Sequence, residues 1–95
     1  MTKLVANYCY GGFSLSEEAN KLLGVDYYDD EGDLESRSNP ALVSVVESLG
    51  DKANGHCAEL RVVTIPTEAT DVLITEYDGY ETVYYVLDGK IRVAF

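Results

Sequence analysis

The chain has 95 residues, 46% of them apolar and 25% charged, a balance that supports one folded domain with a modest core and excludes a disordered chain. Seventeen acidic residues against seven basic ones give a formal charge of −10. Such a charge repels nucleic-acid duplexes and anionic membranes and favours basic partners or simple solubility.

Residues Lys3 to Tyr10 have the β-prone, partly alternating pattern of a strand, which Gly11-Gly12 stops. Ser14-Leu15-Ser16-Glu17 has capping-box spacing and predicts a helix start at Ser14. Leu15, Ala19, Leu22 and Leu23 recur on one helical face, and Gly24 is placed to close the helix in a left-handed conformation. From Asp26 to Ser38 the chain is rich in carboxylates and carries Tyr27 and Tyr28 without a helical stripe, so an exposed loop is expected.

Asn39-Pro40 opens a second helix, with Asn as cap and Pro at the first helical position, and Leu42, Val43, Val46 and Leu49 form its apolar stripe up to Gly50. Asp51 to Ala53 can add an irregular turn before Asn54-Gly55 reverses the chain. Ala58 to Ile65 is strand-like and is closed by Pro66. Val72 to Tyr77, Tyr80 to Leu87 and Lys90 to Phe95 are three further strands separated by Asp78-Gly79 and Asp88-Gly89, each a type I′ hairpin signal. The order β-α-α-β-β-β-β predicts a single α+β domain over residues 1–95, with a mostly antiparallel sheet and both helices on one face.

No run approaches membrane-spanning length, and the first residues lack a signal-peptide apolar core, so a cytosolic chain with no membrane partner is expected. Cys9 and Cys57 are too few for a disulfide framework and are expected to be buried free thiols. His56 is the only histidine, which excludes a multi-histidine metal site and leaves no nucleophile–base pair with recognisable spacing. Residues Asp29 to Glu35 lack the glycine position and terminal glutamate of an EF-hand loop. The expectation is a non-enzyme without cofactor or metal.

The segment Tyr8 to Ser16 has more specific physics, because a strand runs through two glycines toward a capped helix N-terminus. Free amides there suit phosphate or carboxylate, and hydroxyls of Ser14 or Ser16 can add hydrogen bonds. An ordinary strand-turn-helix junction explains the same residues. Eight tyrosines add flat rings on which a base can stack, Tyr8, Tyr10 and Phe13 lying beside the glycines, and Arg37 or Arg61 can neutralise a phosphate. Tyr77, Tyr80, Tyr84 and Tyr85 equally fit cross-strand pairs or a subunit interface.

Several segments carry a family resemblance: Val5-x-Asn7-x-Cys9-Tyr10-Gly11-Gly12-Phe13-Ser14-Leu15-Ser16, Asn39-Pro40-x-Leu42-Val43-x-Val45-Val46-Glu47-x-Leu49-Gly50, Ala53-Asn54-Gly55, Leu60-x-Val62-Val63-x-Ile65-Pro66 and Glu76-Tyr77-Asp78-Gly79-x-Glu81. Together they resemble a widespread family of small phage proteins, and through it the nucleotide-sponge proteins that defeat CBASS, Pycsar or Thoeris immunity. The hairpin from Tyr84 to Phe95 departs from the shorter basic-aromatic tail of that family. The resemblance implies a host-cytoplasmic homo-oligomer, dimer or tetramer, that sequesters a cyclic dinucleotide or cyclic-ADP-ribose-like signal without cleaving it. Tyr10, Gly11, Gly12, Phe13, Ser14, Ser16 and Arg37 are the implied ligand contacts. The competing expectations are an acidic inhibitor or DNA mimic that presents the carboxylates from Asp26 to Glu35 to a basic groove, and an assembly protein that adds its last strand to a neighbour.

Overall fold

The structure is a computed structural model and describes residues 2–24 and 34–94. Its elements in chain order are β1 (Thr2–Asn7), α1 (Glu17–Leu23), the single turn α2 (Leu34–Arg37), α3 (Pro40–Leu49) with a 3-10 turn at Gly50–Ala53, β2 (Leu60–Ile65), β3 (Asp71–Tyr77), β4 (Tyr80–Leu87) and β5 (Lys90–Val93). The class is α+β, as the element order predicts. Residues 34–37 of the expected loop are helical, Ser38 follows as a turn, and residues 26–33, including Tyr27 and Tyr28, lie outside the described residues.

The strands do not form one sheet. β1 pairs with β2 antiparallel, Leu4 opposite Val63 and Val5 opposite Val62, while β3, β4 and β5 form a separate three-stranded antiparallel sheet in that order. The cause lies in the apolar pattern of β1 and β2, which is apolar on both faces. Val5, Leu60 and Val62 pack with Leu15, Ala19, Leu42, Val43 and Val46 under the helices, and Leu4, Ala6, Val63 and Ile65 pack with Val83 and Ala94 of the second sheet. A ribbon apolar on both faces must be covered twice. Pro66, with no amide to continue the ladder, ends β2 where the chain turns to lay β3 to β5 over the open side.

Local signals act largely as read. Asn39 Oδ1 accepts from the Ala41 amide at 2.8 Å to cap α3, and Gly24 closes α1 at φ 78° with its amide donating to Asn20 O at 2.9 Å. Both Asp-Gly turns have positive φ at each central residue, 49° and 90° at Asp78 and Gly79, 53° and 74° at Asp88 and Gly89, the condition of a type I′ hairpin. The cap of α1 is a correction. Ser16, not Ser14, accepts from the Ala19 amide at 3.1 Å, and the Ser14 hydroxyl instead donates to His56 O at 3.2 Å. The tertiary bridge between Leu15 and Asn54 holds Leu15 extended and delays the helix. Cys9 is half-buried and Cys57 exposed, so the thiols are free but Cys57 is not a core residue.

The two hairpin glycines differ in surroundings and should differ in tolerance. A Cβ on Gly89 meets open space, whereas one on Gly79 would overlap the backbone of Gly12. Gly89→Ala is expected to cost about 1–2 kcal/mol, the penalty for a left-handed alanine, and Gly79→Ala clearly more. Urea denaturation of both variants checks this, and equal costs would contradict the close approach of the two turns.

Candidate functional site

One end of the molecule gathers the turn after β1, the β3–β4 hairpin and α2, and a buried polar network joins them. Arg37 is 0% exposed and Glu81 4%. The guanidinium meets the carboxylate in a two-pronged pair, Nη1 to Oε1 at 2.5 Å and Nη2 to Oε2 at 2.6 Å, and Nη1 also donates to Val5 O at 3.2 Å. Glu81 Oε1 accepts in addition from the Asn7 amide at 2.8 Å. The Arg37 guanidinium lies 3.7 Å from the centroid of the Phe13 ring, a cation–π contact shielded from water. Two charges removed from water are tolerable only when matched this completely.

Asn7 completes the junction. Its Nδ2 donates to Cys9 O at 2.8 Å and Gly79 O at 2.7 Å, and its Oδ1 accepts from the Glu59 amide at 2.8 Å. Every hydrogen-bonding group of this buried amide is thereby used. Glu76 stands opposite Glu81 in the β3–β4 register, a like-charge pairing that would otherwise destabilise the hairpin. The Glu76 carboxylate turns instead to the Gly79 amide.

Four of the groups that suggested a phosphate cradle are engaged with the protein. The Gly11 amide donates to Asp78 O at 2.9 Å and the Ser16 amide to Ala53 O at 2.9 Å. The Ser14 and Ser16 hydroxyls donate to His56 O and Lys52 O at 3.2 and 2.6 Å. Gly12 backs onto Gly79, and Gly11 sits so close to Cys57 that a Cβ would overlap it. Gly12 is also separated from the Ser16 cap, so the glycine turn and the helix end are distinct places. The structure thus brings Tyr10, Gly11, Gly12, Phe13 and Arg37 to one end, with Arg37 buried, Phe13 half-buried against it and Tyr10 on the surface, while Ser14 and Ser16 lie toward residues 52–56.

Tyr10 is 63% exposed. It tilts by 41° against Tyr80 at 5.4 Å, and Tyr80 stacks on Tyr8 at 5.7 Å with an interplanar angle of 10°. Tyr77 faces Tyr80 in the hairpin register and is also exposed. The result is an aromatic ledge whose inner member, Tyr8, donates its hydroxyl to Ala94 O at 3.3 Å. Burial above all raises the Tyr8 phenol above its ordinary value of 10.0, with Tyr80 and Glu81 acting in the same direction and Arg61 opposing.

A second feature was not singled out from sequence. The face of β3–β5 turned away from β1 and β2 is apolar, and a shallow hollow of about 290 Å³ there is lined by Asp71, Leu73, Tyr84, Tyr85, Val86 and Ile91. The signal was present in the pattern: Leu73-Ile74, Tyr84-Tyr85-Val86 and Ile91 through Val93 put apolar side chains on both phases of the alternation. Among the described residues no three of His, Cys, Asp and Glu group as metal ligands, and no helix is long and apolar enough to cross a membrane.

Two outcomes follow from the polar network. Arg37→Met strands a buried carboxylate and is expected to cost about 3–5 kcal/mol, whereas Arg37→Met combined with Glu81→Leu should regain most of that loss; thermal and urea unfolding of the three proteins decides it. Because the raised pKa of Tyr8 favours its neutral form in the folded state, its contribution is fully present below pH ~10 and declines as pH rises through the folded value. Stability measured across that alkaline range should fall less steeply in Tyr8→Phe than in the parent chain. No family model, curated protein or solved structure matches this chain.

Proposed function

We propose that this protein works by stoichiometric binding and not by turnover, and that its ligand is a cyclic nucleotide signal whose base stacks on the ledge of Tyr10 and Tyr80. The observation that carries this reading is the solvent-facing Tyr10 ring beside Tyr80, fixed in place by a turn whose glycines are locked to the β3–β4 hairpin. An immobilised flat ring offers a base about 1–3 kcal/mol of stacking with little ordering cost. The resemblance to phage nucleotide sponges supports the same ligand class and a site of action in the host cytoplasm.

The roles of individual residues shift accordingly. Arg37 acts from beneath, holding Phe13 and the hairpin, and the guanidinium facing solvent near Tyr8 is that of Arg61. Its pair with Glu59 is exposed and therefore weak enough for a phosphate to displace. Gly11 and Gly12 shape the ledge, while Ser14 and Ser16 tie the following segment to residues 52–56.

A second reading is favoured by the charge of −10 together with the engagement of the Gly11 amide and the Ser14 and Ser16 hydroxyls within the protein: an acidic inhibitor that occupies a basic protein groove. Its proposed contact region from Asp26 to Glu35 lies largely outside the described residues.

Titration calorimetry against cyclic dinucleotides, cyclic mononucleotides and cyclic-ADP-ribose isomers separates the two. One ligand of the panel is expected to bind and to be recovered intact, with Tyr10→Ala and Tyr80→Ala each weakening it roughly fivefold to a hundredfold and Arg61→Ala lowering its affinity as well. Silence across the panel, with salt-sensitive capture of a basic protein, would replace this reading with the second.

A further inference from the structure

The free edges of the two sheets differ in what meets them. On β1 the Val5 carbonyl accepts from Arg37 and the Asn7 amide donates to Glu81. On β2 the Leu60 amide donates to Asn54 Oδ1 at 2.8 Å, and α2 stands beside β3. β5 ends the order β3-β4-β5, and all of its residues, Lys90 to Val93, are exposed. The Ala94 amide donates to Val83 O at 2.8 Å, which fixes the phase of the β4–β5 ladder. Alternation then turns the backbone groups of Lys90 and Arg92 toward β4 and the amides and carbonyls of Ile91 and Val93 outward. Among the described residues no group bonds them.

Charge distinguishes the same edge. The chain has seven basic residues, and Lys3, Lys21, Arg37 and Arg61 are paired with Glu47, Glu17, Glu81 and Glu59. Lys90 and Arg92 have no carboxylate partner among the described residues, and they stand two positions apart on one side of a strand that holds no acidic residue. Asp88, in the turn, lies beyond the end of that strand. β3, the opposite edge of the sheet, carries Asp71 and Glu76 instead.

We propose that β5 accepts an extended peptide as a fourth strand of its sheet, and that the peptide carries carboxylates at alternate positions with apolar residues between them. Strand addition draws affinity from main-chain hydrogen bonds and specificity from alternate side chains, and β5 supplies both. Ile91 and Val93 offer the outward ladder groups. In an antiparallel pairing Lys90 and Arg92 then occupy the positions between the bonded pairs, where facing Cα atoms are only about 4.5 Å apart and side chains meet most closely. Carboxylates opposite them form ion pairs. The intervening residues of the peptide fall on the other side of the strand, beside Ile91 and Val93, which are 75% and 39% exposed, so apolar side chains suit them.

The partner's charge follows from what the edge rejects. Cations on an edge strand keep apolar and like-charged strands away, so Lys90 and Arg92 repel the β5 of another copy and any basic strand. They admit a strand of carboxylates at matching spacing. The charge of −10 on the whole chain opposes an acidic ligand at long range, but beyond about 8 Å physiological salt screens that repulsion.

This inference is independent of the nucleotide reading, since no ledge residue takes part. Nuclear magnetic resonance titration of the full chain with an acetylated, amidated peptide of about eight residues, glutamate and valine in alternation, tests it. The peptide is expected to bind and to shift the amide signals of Ile91 and Val93. A lysine–valine peptide, and the acidic peptide with its valines N-methylated, should not bind. Lys90→Glu and Arg92→Glu should each weaken binding at least about tenfold with unchanged circular dichroism, whereas Lys52→Glu, an equal change of charge at an exposed site outside the sheet, should leave it unaltered. Ile91→Pro removes an outward amide at an edge position that tolerates proline and should abolish the shifts. Silence up to about 1 mM peptide, retained binding of the N-methylated peptide, or equal loss in Lys52→Glu would each overturn the proposal. So would equal binding of a thymidine oligonucleotide at Lys90 and Arg92, which would assign the edge to polyanions in general.

Discussion

A guanidinium and a carboxylate taken out of water together must be satisfied from every side, and Arg37 and Glu81 are satisfied by elements far apart in the chain. Val5 and Asn7 come from β1, Glu81 from β4, Arg37 from α2 and Phe13 from the segment before α1. The pair is a poor source of net stability compared with apolar packing of the same volume. Its value is directional. A two-pronged pair with fixed hydrogen-bond geometry admits one placement of α2 against the hairpin, whereas the aliphatic side chains around it would tolerate several.

That placement sets the surface above it. The hairpin turn held by Glu81 and Asn7 rests on Gly12, and the hairpin in turn carries Tyr80 between Tyr8 and Tyr10. The aromatic ledge is thus supported by a rigid polar joint and not by loop flexibility, which is the condition under which exposed rings bind with little ordering cost. The same hairpin continues into the sheet whose outer face is apolar. β4 therefore contributes Tyr80 to the ledge and Tyr84 and Val86 to the apolar face.

Local chemistry was legible in the sequence wherever one residue decides a conformation. Asn39-Pro40 begins a helix, Gly24 ends one, and the two Asp-Gly pairs make hairpins, because caps and positive φ are short-range matters. The cap of α1 was not legible, since Ser14 and Ser16 are equivalent in local pattern and only the pairing of Leu15 with Asn54 and of Ser14 with His56 distinguishes them. The split into two sheets escaped for a similar reason. A strand apolar on both phases announces that it is covered twice, but not by what.

The sequence by itself determined the class, the order of the strands and of α1 and α3, the acidity and the position of the aromatic residues around Gly11-Gly12. Those properties follow from composition, periodicity and turn chemistry, each of which acts over a few residues. Only the tertiary structure decided that Arg37 faces inward to Glu81, that the Gly11 and Ser16 amides and the Ser14 and Ser16 hydroxyls are already bonded, and that an apolar sheet face is left open. Each of these depends on which distant group arrives at a given place. A cation reads the same in sequence whether it meets a buried carboxylate or water, and long-range packing makes that choice.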